Sequence, residues 1–355
     1  MQIAEQVLEE RPEVIYAEEI GLRYISDSNR KGITRRAIRG SFKYYDPKGI
    51  EIADEKTLQR IKSLKIPPAW ENVWISPIIK GHLQVTGVDA KGRKQYLYHP
   101  EWSQYRCETK FDKMYDFGEV LPKIRRQIEE DLNTNKLNKQ KVLATVVGLL
   151  DSTLIRIGNK VYEKENKSFG LTTLKDRHMK ALGKNVMFEF VGKKGVKQSI
   201  KVTDSKLARV VKKCRDIPGY QLFQYYDEEG NKLAINSEDV NGYLKATTGG
   251  EITAKDFRTW GASAYAVKLV ETLEYPETQK ELKKNVNTVI KDVAHKLGNT
   301  VTVCKKHYLH PIVIKAYEDN YISELIKNNP RIHLTGSKLL TREEKIFMKI
   351  LEKLK

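Results

Sequence analysis

Apolar and polar positions change rhythm once along this chain. Up to about residue 100 the apolar runs are short, as in Ser41–Tyr45, residues 73–75 and residues 82–85. Turn signals stand between them at Asp46-Pro47-Lys48-Gly49, Pro67-Pro68 and Ala90-Lys91-Gly92. Short runs bounded by Pro, Gly and Asp are the pattern of strands joined by tight turns. Near Phe111 the spacing becomes helical. Val120, Leu121, Ile124 and Ile128 recur on one face, and residues 142–150 are nearly all apolar, which demands burial on most sides. Inside this second region Val186, Phe188 and Phe190 alternate with polar neighbours, and Gly192-Lys193-Lys194-Gly195 reverses the chain. Val196, Gln198, Ile200 and Val202 then continue the period of two, which predicts one β-hairpin. The chain end predicts a docked helix: Thr341 and Glu344 have capping-box spacing, and Ile346, Phe347, Ile350, Leu351 and Leu354 share a face. The expected fold class is α+β, with a small strand-rich N-terminal domain over residues 1–112 and a larger, mostly helical domain over residues 113–355. No linker composition marks the junction at about residues 105–118, and there is no internal repeat.

A length of 355 residues with 40% hydrophobic content is too great for one ordinary core and apolar enough to fold, in keeping with two domains. Charge adds a class of partner. Against 46 Asp and Glu stand 64 Lys and Arg, a formal net charge of +18, and residues 21–100 hold 16 basic against 7 acidic residues. Such a surface gains free energy by releasing counterions from a polyanion, so DNA, RNA, ribosome and anionic membrane come forward as partners. The three cysteines, Cys107, Cys214 and Cys304, lack any CxxC or Cys/His ligand spacing and support neither a disulfide framework nor a zinc site. The first 20 residues carry six Glu and one Arg, the reverse of a signal or transit peptide, and no apolar run approaches bilayer-spanning length. A soluble cytoplasmic protein, nucleoid-associated if bacterial and with no membrane partner, is expected.

Candidate chemistry rests on five positions, each weak alone. Arg156 stands between Ile155 and Ile157, where a guanidinium needs an anion or an ion-pair partner. Lys193 sits in a glycine-flanked turn, an ordinary place for a solvated lysine. Arg258 follows Lys255-Asp256-Phe257, and Asp256 could simply cap a helix. Asn299 follows Gly298 as in a helix-ending turn. Tyr308 is one of 18 tyrosines. Order and context link them. Residues 154–162 with Glu165-Asn166, Gly170-Leu171-Thr172-Thr173-Leu174-Lys175, Phe190-Val191-Gly192-Lys193, Lys255-Asp256-Phe257-Arg258-Thr259-Trp260-Gly261 and residues 299–308 together resemble the catalytic domain of type IB DNA topoisomerases, in their compact bacterial and poxvirus form.

That resemblance covers most of the chain. It implies that Arg156, Lys193, Arg258, Asn299 and Tyr308 are the catalytic five, with Tyr308 the nucleophile, acting on double-stranded DNA as a monomer without metal or nucleotide cofactor. The fourth position is histidine in many members and asparagine here. His295 lies 13 residues before Tyr308 rather than nine, and is taken as a helix residue. Gly92-Arg93-Lys94-Gln95-Tyr96-Leu97-Tyr98-His99 resembles the part of the family's N-terminal domain that faces the DNA groove. Arg35, Arg36, Arg39, Arg93, Gln95, Tyr96 and Tyr98, with Tyr162, Thr173 and Lys255, are therefore expected at the DNA, and the two domains are expected to form a clamp around it. The residue types suit the chemistry. Two guanidiniums offer fixed forks to the oxygens of a phosphorane, an amide adds a neutral donor, and a lysine with a lowered pKa can protonate a departing 5′ oxygen. No Walker-type loop is present. A tyrosine recombinase uses Arg, Lys, Arg and Tyr in the same order, but usually places its second arginine in His-x-x-Arg and carries a helical N-terminal domain. A non-catalytic basic DNA-binding protein would explain the charge without the five polar groups.

Overall fold

The computed structural model describes residues 12–38 and 40–353, so Arg39 and Leu354 lie outside the described residues. The chain divides into two compact units, Met1–Lys110 and Phe111–Lys355. The first holds helix α1 (Pro12–Glu19) and strands β1 (Ile33–Ile38), β2 (Ser41–Tyr45), β3 (Glu71–Ile75), β4 (Leu83–Val88) and β5 (Lys94–Tyr98), with helix α2 (Glu55–Ser63) between β2 and β3. The strands form one antiparallel sheet in the order β2-β1-β3-β4-β5.

Alternation along β3 sends successive side chains to opposite faces. Val73 and Ile75 join Ile33, Val85 and Ile61 of α2 in one core, whereas Trp74 joins Ile25 and Leu83 in another. Leu83 and Val85 are two residues apart and would share a face in a regular strand. The shift in β4–β5 register between them accounts for their different cores. Sequence periodicity did not show α2, whose start is fixed by Asp54 accepting from Thr57 N at 2.8 Å.

Helix α3 (Pro100–Leu132) begins before the division of the chain and ends after it, so the junction has no linker composition because it is helical. In the second unit α4 (Lys139–Thr153) is buried from Lys141 to Leu150, as its apolar run demanded. The unit also holds α5 (Lys160–Asn166), α6 (Ser205–Arg215), α7 (Ser237–Thr248), α8 (Ala254–Glu271), α9 (Gln279–Leu297), α10 (Val301–His307), α11 (Pro311–Glu318), α12 (Tyr321–Asn328) and α13 (Arg342–Glu352), of which α6, α7 and α8 pack on α4. The expected hairpin is present and larger than foreseen. Strands β6 (Met179–Leu182), β7 (Asn185–Val191) and β8 (Lys197–Val202) make a three-stranded sheet, and β9 (Gln224–Tyr226) with β10 (Lys232–Ala234) makes a second, small one. The fold is thus a strand-rich antiparallel unit followed by a mostly helical one. No helix among the described residues is long and apolar enough to cross a membrane.

Helix α13 starts at the Thr341–Glu344 capping box and docks on α8 through Ile346, Phe347, Ile350 and Leu351. Glu344 also ties three helices together. It accepts from Arg125 (Nη2–Oε1 2.7 Å, Nη1–Oε2 2.8 Å) and from Trp260 Nε1 at 2.9 Å, while Arg125 Nε donates to Asp151 at 2.8 Å. Burial raises the Glu344 pKa, but the hydrogen bonds and charge of Arg125 outweigh it and the net shift is downward. The stabilisation is therefore present above the ordinary glutamate pKa and is lost as pH falls through the lowered one. Glu344→Ala should cost roughly 1.5–3 kcal/mol at neutral pH, because it removes two charged hydrogen bonds to Arg125, which keeps Asp151, and leaves a buried indole N–H without its acceptor. Denaturant unfolding checks this, and a loss below about 1 kcal/mol would contradict the stabilising role.

Candidate active site

Separate segments of the second unit converge on one cleft of about 710 Å³, lined among others by Arg156, Lys193, Asn299 and Tyr308. Arg156 lies just past α4, which ends at Leu154 in the left-handed conformation (φ 58°). The extended stretch that follows is clasped by the turn at residues 171–173. Leu171 N donates to Arg156 O at 2.9 Å and Thr172 N to Ile157 O at 2.7 Å. Gly170 is required there, since a Cβ on it would lie 2.5 Å from Arg156 O. The Arg156 guanidinium then donates through Nη2 to Asn299 Oδ1.

Arg258 sits in the second turn of α8, which starts at Thr253 with its N–H on Asp256 Oδ2 at 2.8 Å. The side chain is only 4% exposed. It donates through Nη1 to Leu154 O and through Nη2 to Leu297 O at 2.9 Å, both carbonyls at helix ends. These bonds satisfy terminal carbonyls and fix the guanidinium 5.0 Å from the centre of the Tyr308 ring. Burial, and then the Arg156 charge, bring the Arg258 pKa down to about 10. It remains a cation at neutral pH.

Asn299 follows Gly298, which closes α9 in the left-handed conformation (φ 59°), and Asn299 N donates to Ala294 O at 2.9 Å. Tyr308 ends α10, its N–H on Cys304 O at 2.9 Å. Burial raises the Tyr308 pKa, yet the charges of Arg258, Arg156 and Lys255 outweigh it and the net shift is downward. Lys193 stands in the turn between β7 and β8, its ammonium 5.7 Å from the centre of the Tyr162 ring. Partial burial of the ammonium, and then the neighbouring Arg156, lower its pKa. Two donors, Arg258 Nε and Asn299 Nδ2, are buried without a hydrogen-bond partner. Unsatisfied cationic and amide donors beside a tyrosine are suited to an anion that would complete them.

Of the other residues expected at the DNA, Tyr162 and Lys255 are exposed, and Lys255 lies close enough to lower the pKa of both Tyr308 and Lys193. Thr173 is not on a surface. It is 1% exposed, and its hydroxyl is taken by Gly170 N at 3.0 Å and Gly170 O at 3.1 Å, so it braces the Arg156 segment. In the first unit Arg35 is also committed within the protein. It donates to Trp70 O at 2.5 Å and Pro67 O at 3.1 Å and stacks over Phe42. Arg36 lies over the Tyr45 ring at 4.6 Å.

Arg93 and Gln95 both bind Asp89, Arg93 by Nε at 2.8 Å and Gln95 by Nε2 at 3.0 Å, and the Arg93 hydrogen bonds pull the Asp89 pKa down to about 2. Tyr96 and Tyr98 are 46% and 45% exposed and stack nearly parallel, at 11°. Lys94, which is not among the residues expected at the DNA, shares their face, and its spacing of two from Tyr96 is the sequence signal for it. Its ammonium pairs with Asp27 at 2.6 Å.

The family model described as "Eukaryotic DNA topoisomerase I, catalytic core" matches residues 99–331, and that described as "Bacterial DNA topoisomerase IB, N-terminal domain" matches residues 41–89. DNA topoisomerase 1B of Acanthamoeba polyphaga mimivirus is 34% identical over 311 residues, covering 86% of this chain and 90% of the relative. DNA topoisomerase 1B of Vaccinia virus (strain Copenhagen) is 25% identical over 290 residues, covering 77% and 86%. The chain belongs to the type IB DNA topoisomerase family and is an enzyme of the type I class whose substrate is DNA. That membership decides against the recombinase and the non-catalytic alternatives.

Proposed function

We propose that this chain, acting as a cytoplasmic monomer, nucleoid-associated if bacterial, relaxes supercoiled duplex DNA by opening and resealing one strand through Tyr308. The phenolic oxygen attacks the scissile phosphorus and forms a Tyr308 O–P bond as its own proton passes to solvent. The P–O5′ bond breaks, and Lys193 gives its proton to the departing 5′ oxygen. Arg156 and Arg258 hold the non-bridging oxygens of the phosphorane, and Asn299 donates through its amide nitrogen. The 3′-phosphotyrosine conserves the bond energy, so the 5′ hydroxyl can reverse the step without ATP after the free end has rotated. Arg36, Lys94, Tyr96 and Tyr98 supply DNA contacts from the strand-rich unit.

The observation that carries this reading is the setting of Tyr308: a tyrosine against a buried Arg258, beside the Arg156–Asn299 pair, with two buried donors still unsatisfied. Charge stabilisation from fixed side chains predicts relaxation of both positive and negative supercoils in EDTA and without ATP. Plasmid topoisomers resolved on a gel check this. Strict dependence on Mg²⁺ or ATP would overturn it.

A further inference from the structure

Gln198 belongs to neither the five residues nor the DNA-binding set, yet it spans two of their supports. It lies on β8, directly across from Phe190 in the β7–β8 pairing, and so at the root of the turn that carries Lys193. A Cβ built on Gly192, the residue before Lys193, would fall 3.3 Å from Gln198 Cγ. A Cβ built on Gly298, the residue before Asn299, would fall 2.5 Å from Gln198 Nε2. The side chain therefore runs with its stem along Gly192 and its tip against Gly298. Glycine at both places leaves room for it, and at Gly298 the close approach adds to the need for a positive φ of 59°. Gln198 also lines the cleft that Arg156, Lys193, Asn299 and Tyr308 line.

From this contact we propose that Gln198 is a positioning residue: its side chain is a spacer that sets the Lys193 turn against the Gly298–Asn299 turn. Gly192 N to Val196 O at 2.8 Å and Gly195 N to Gly192 O at 3.1 Å close the turn bearing Lys193 and hold its shape, but Lys193, Lys194 and Gly195 are exposed, so these bonds do not set where the turn stands against the Gly298–Asn299 turn. Shortening Gln198 would leave the turn intact but let the lysine ammonium drift from the 5′ oxygen. A displacement of about 1 Å at a reacting group can cost on the order of 10²-fold in rate.

This inference rests on Lys193 as the proton donor, and its test separates the two claims. Single-turnover cleavage is measured for Gln198→Ala, Gln198→Met and Lys193→Ala on ordinary duplex DNA and on DNA with sulfur in place of the 5′ bridging oxygen. Sulfur leaves without protonation and so bypasses the lysine. Gln198→Ala should cleave ordinary DNA roughly 10- to 10²-fold more slowly, with DNA affinity unchanged, and should recover on the sulfur substrate. Gln198→Met, which keeps the length, should stay within about threefold of the unaltered enzyme, a small fraction of the loss that misplacement brings. If Lys193→Ala is rescued by sulfur while Gln198→Ala is unimpaired, or is equally slow on both substrates, the positioning role is overturned and the lysine reading stands. If Lys193→Ala is not rescued, both fall.

Discussion

Tyr308→Phe is expected to bind duplex DNA as the unaltered protein does and to lose strand cleavage and plasmid relaxation altogether. Only the phenolic oxygen is removed, and the ring keeps its place against the Arg258 guanidinium, 5.0 Å away. The cationic surface that holds phosphates is untouched. Tyr317, the next tyrosine along the chain, is 1% exposed and accepts from Asn285 Nδ2 at 3.0 Å. Binding measured by gel shift and cleavage measured on a labelled strand separate the two properties. Residual cleavage within about tenfold of the unaltered enzyme, far less than loss of a covalent nucleophile entails, would contradict the assignment.

Lys193→Ala should slow cleavage of ordinary DNA by roughly 10²- to 10⁴-fold, the usual contribution of a general acid. Sulfur at the 5′ bridging position should restore most of the loss. Arg258→Ala should be poorly restored, because its proposed work is on the non-bridging oxygens. The lowered lysine pKa adds a pH signature. As pH rises through that pKa the proton donor is lost, so the ratio of ordinary to sulfur-substrate cleavage should fall at a lower pH than an unshifted lysine would give. Tyrosine ionisation affects both substrates alike and cancels in the ratio. A ratio that falls only around an ordinary lysine pKa near 10.4 would contradict the lowering of the Lys193 pKa.

Much of the architecture could be read from local pattern, and the exceptions have physical causes. The run Ser41–Tyr45 is β2, the alternation around Gly192 is β7 and β8, and the Thr341–Glu344 box opens α13. Each is specified by residues close in sequence. Strand β6, with Met179, Lys180, Ala181 and Leu182, has one buried residue of four, and β10 has none among its three. Strands so short and so exposed carry no hydrophobic alternation to find. Among the candidate site residues, the order of Arg, Lys, Arg, Asn and Tyr is visible in the sequence, but the meeting of Arg156, Lys193, Asn299 and Tyr308 at one cleft, with Arg258 buried against the Tyr308 ring, is a tertiary fact. For Arg35 the sequence makes the charge legible but not its partners, the carbonyls of Pro67 and Trp70. Thr173 is a similar case, since a hydroxyl that closes on Gly170 looks the same in sequence as one that faces solvent.

The central claim is that Tyr308 carries the DNA during turnover, and the most direct test is to stop the enzyme with denaturant while it relaxes a plasmid. After nuclease and protease digestion, the peptide bearing the nucleotide is sequenced and the linkage determined. The account predicts a single adduct, on Tyr308, through a 3′ phosphate. An adduct on Tyr317 or Tyr321, or one joined through a 5′ phosphate, would contradict it.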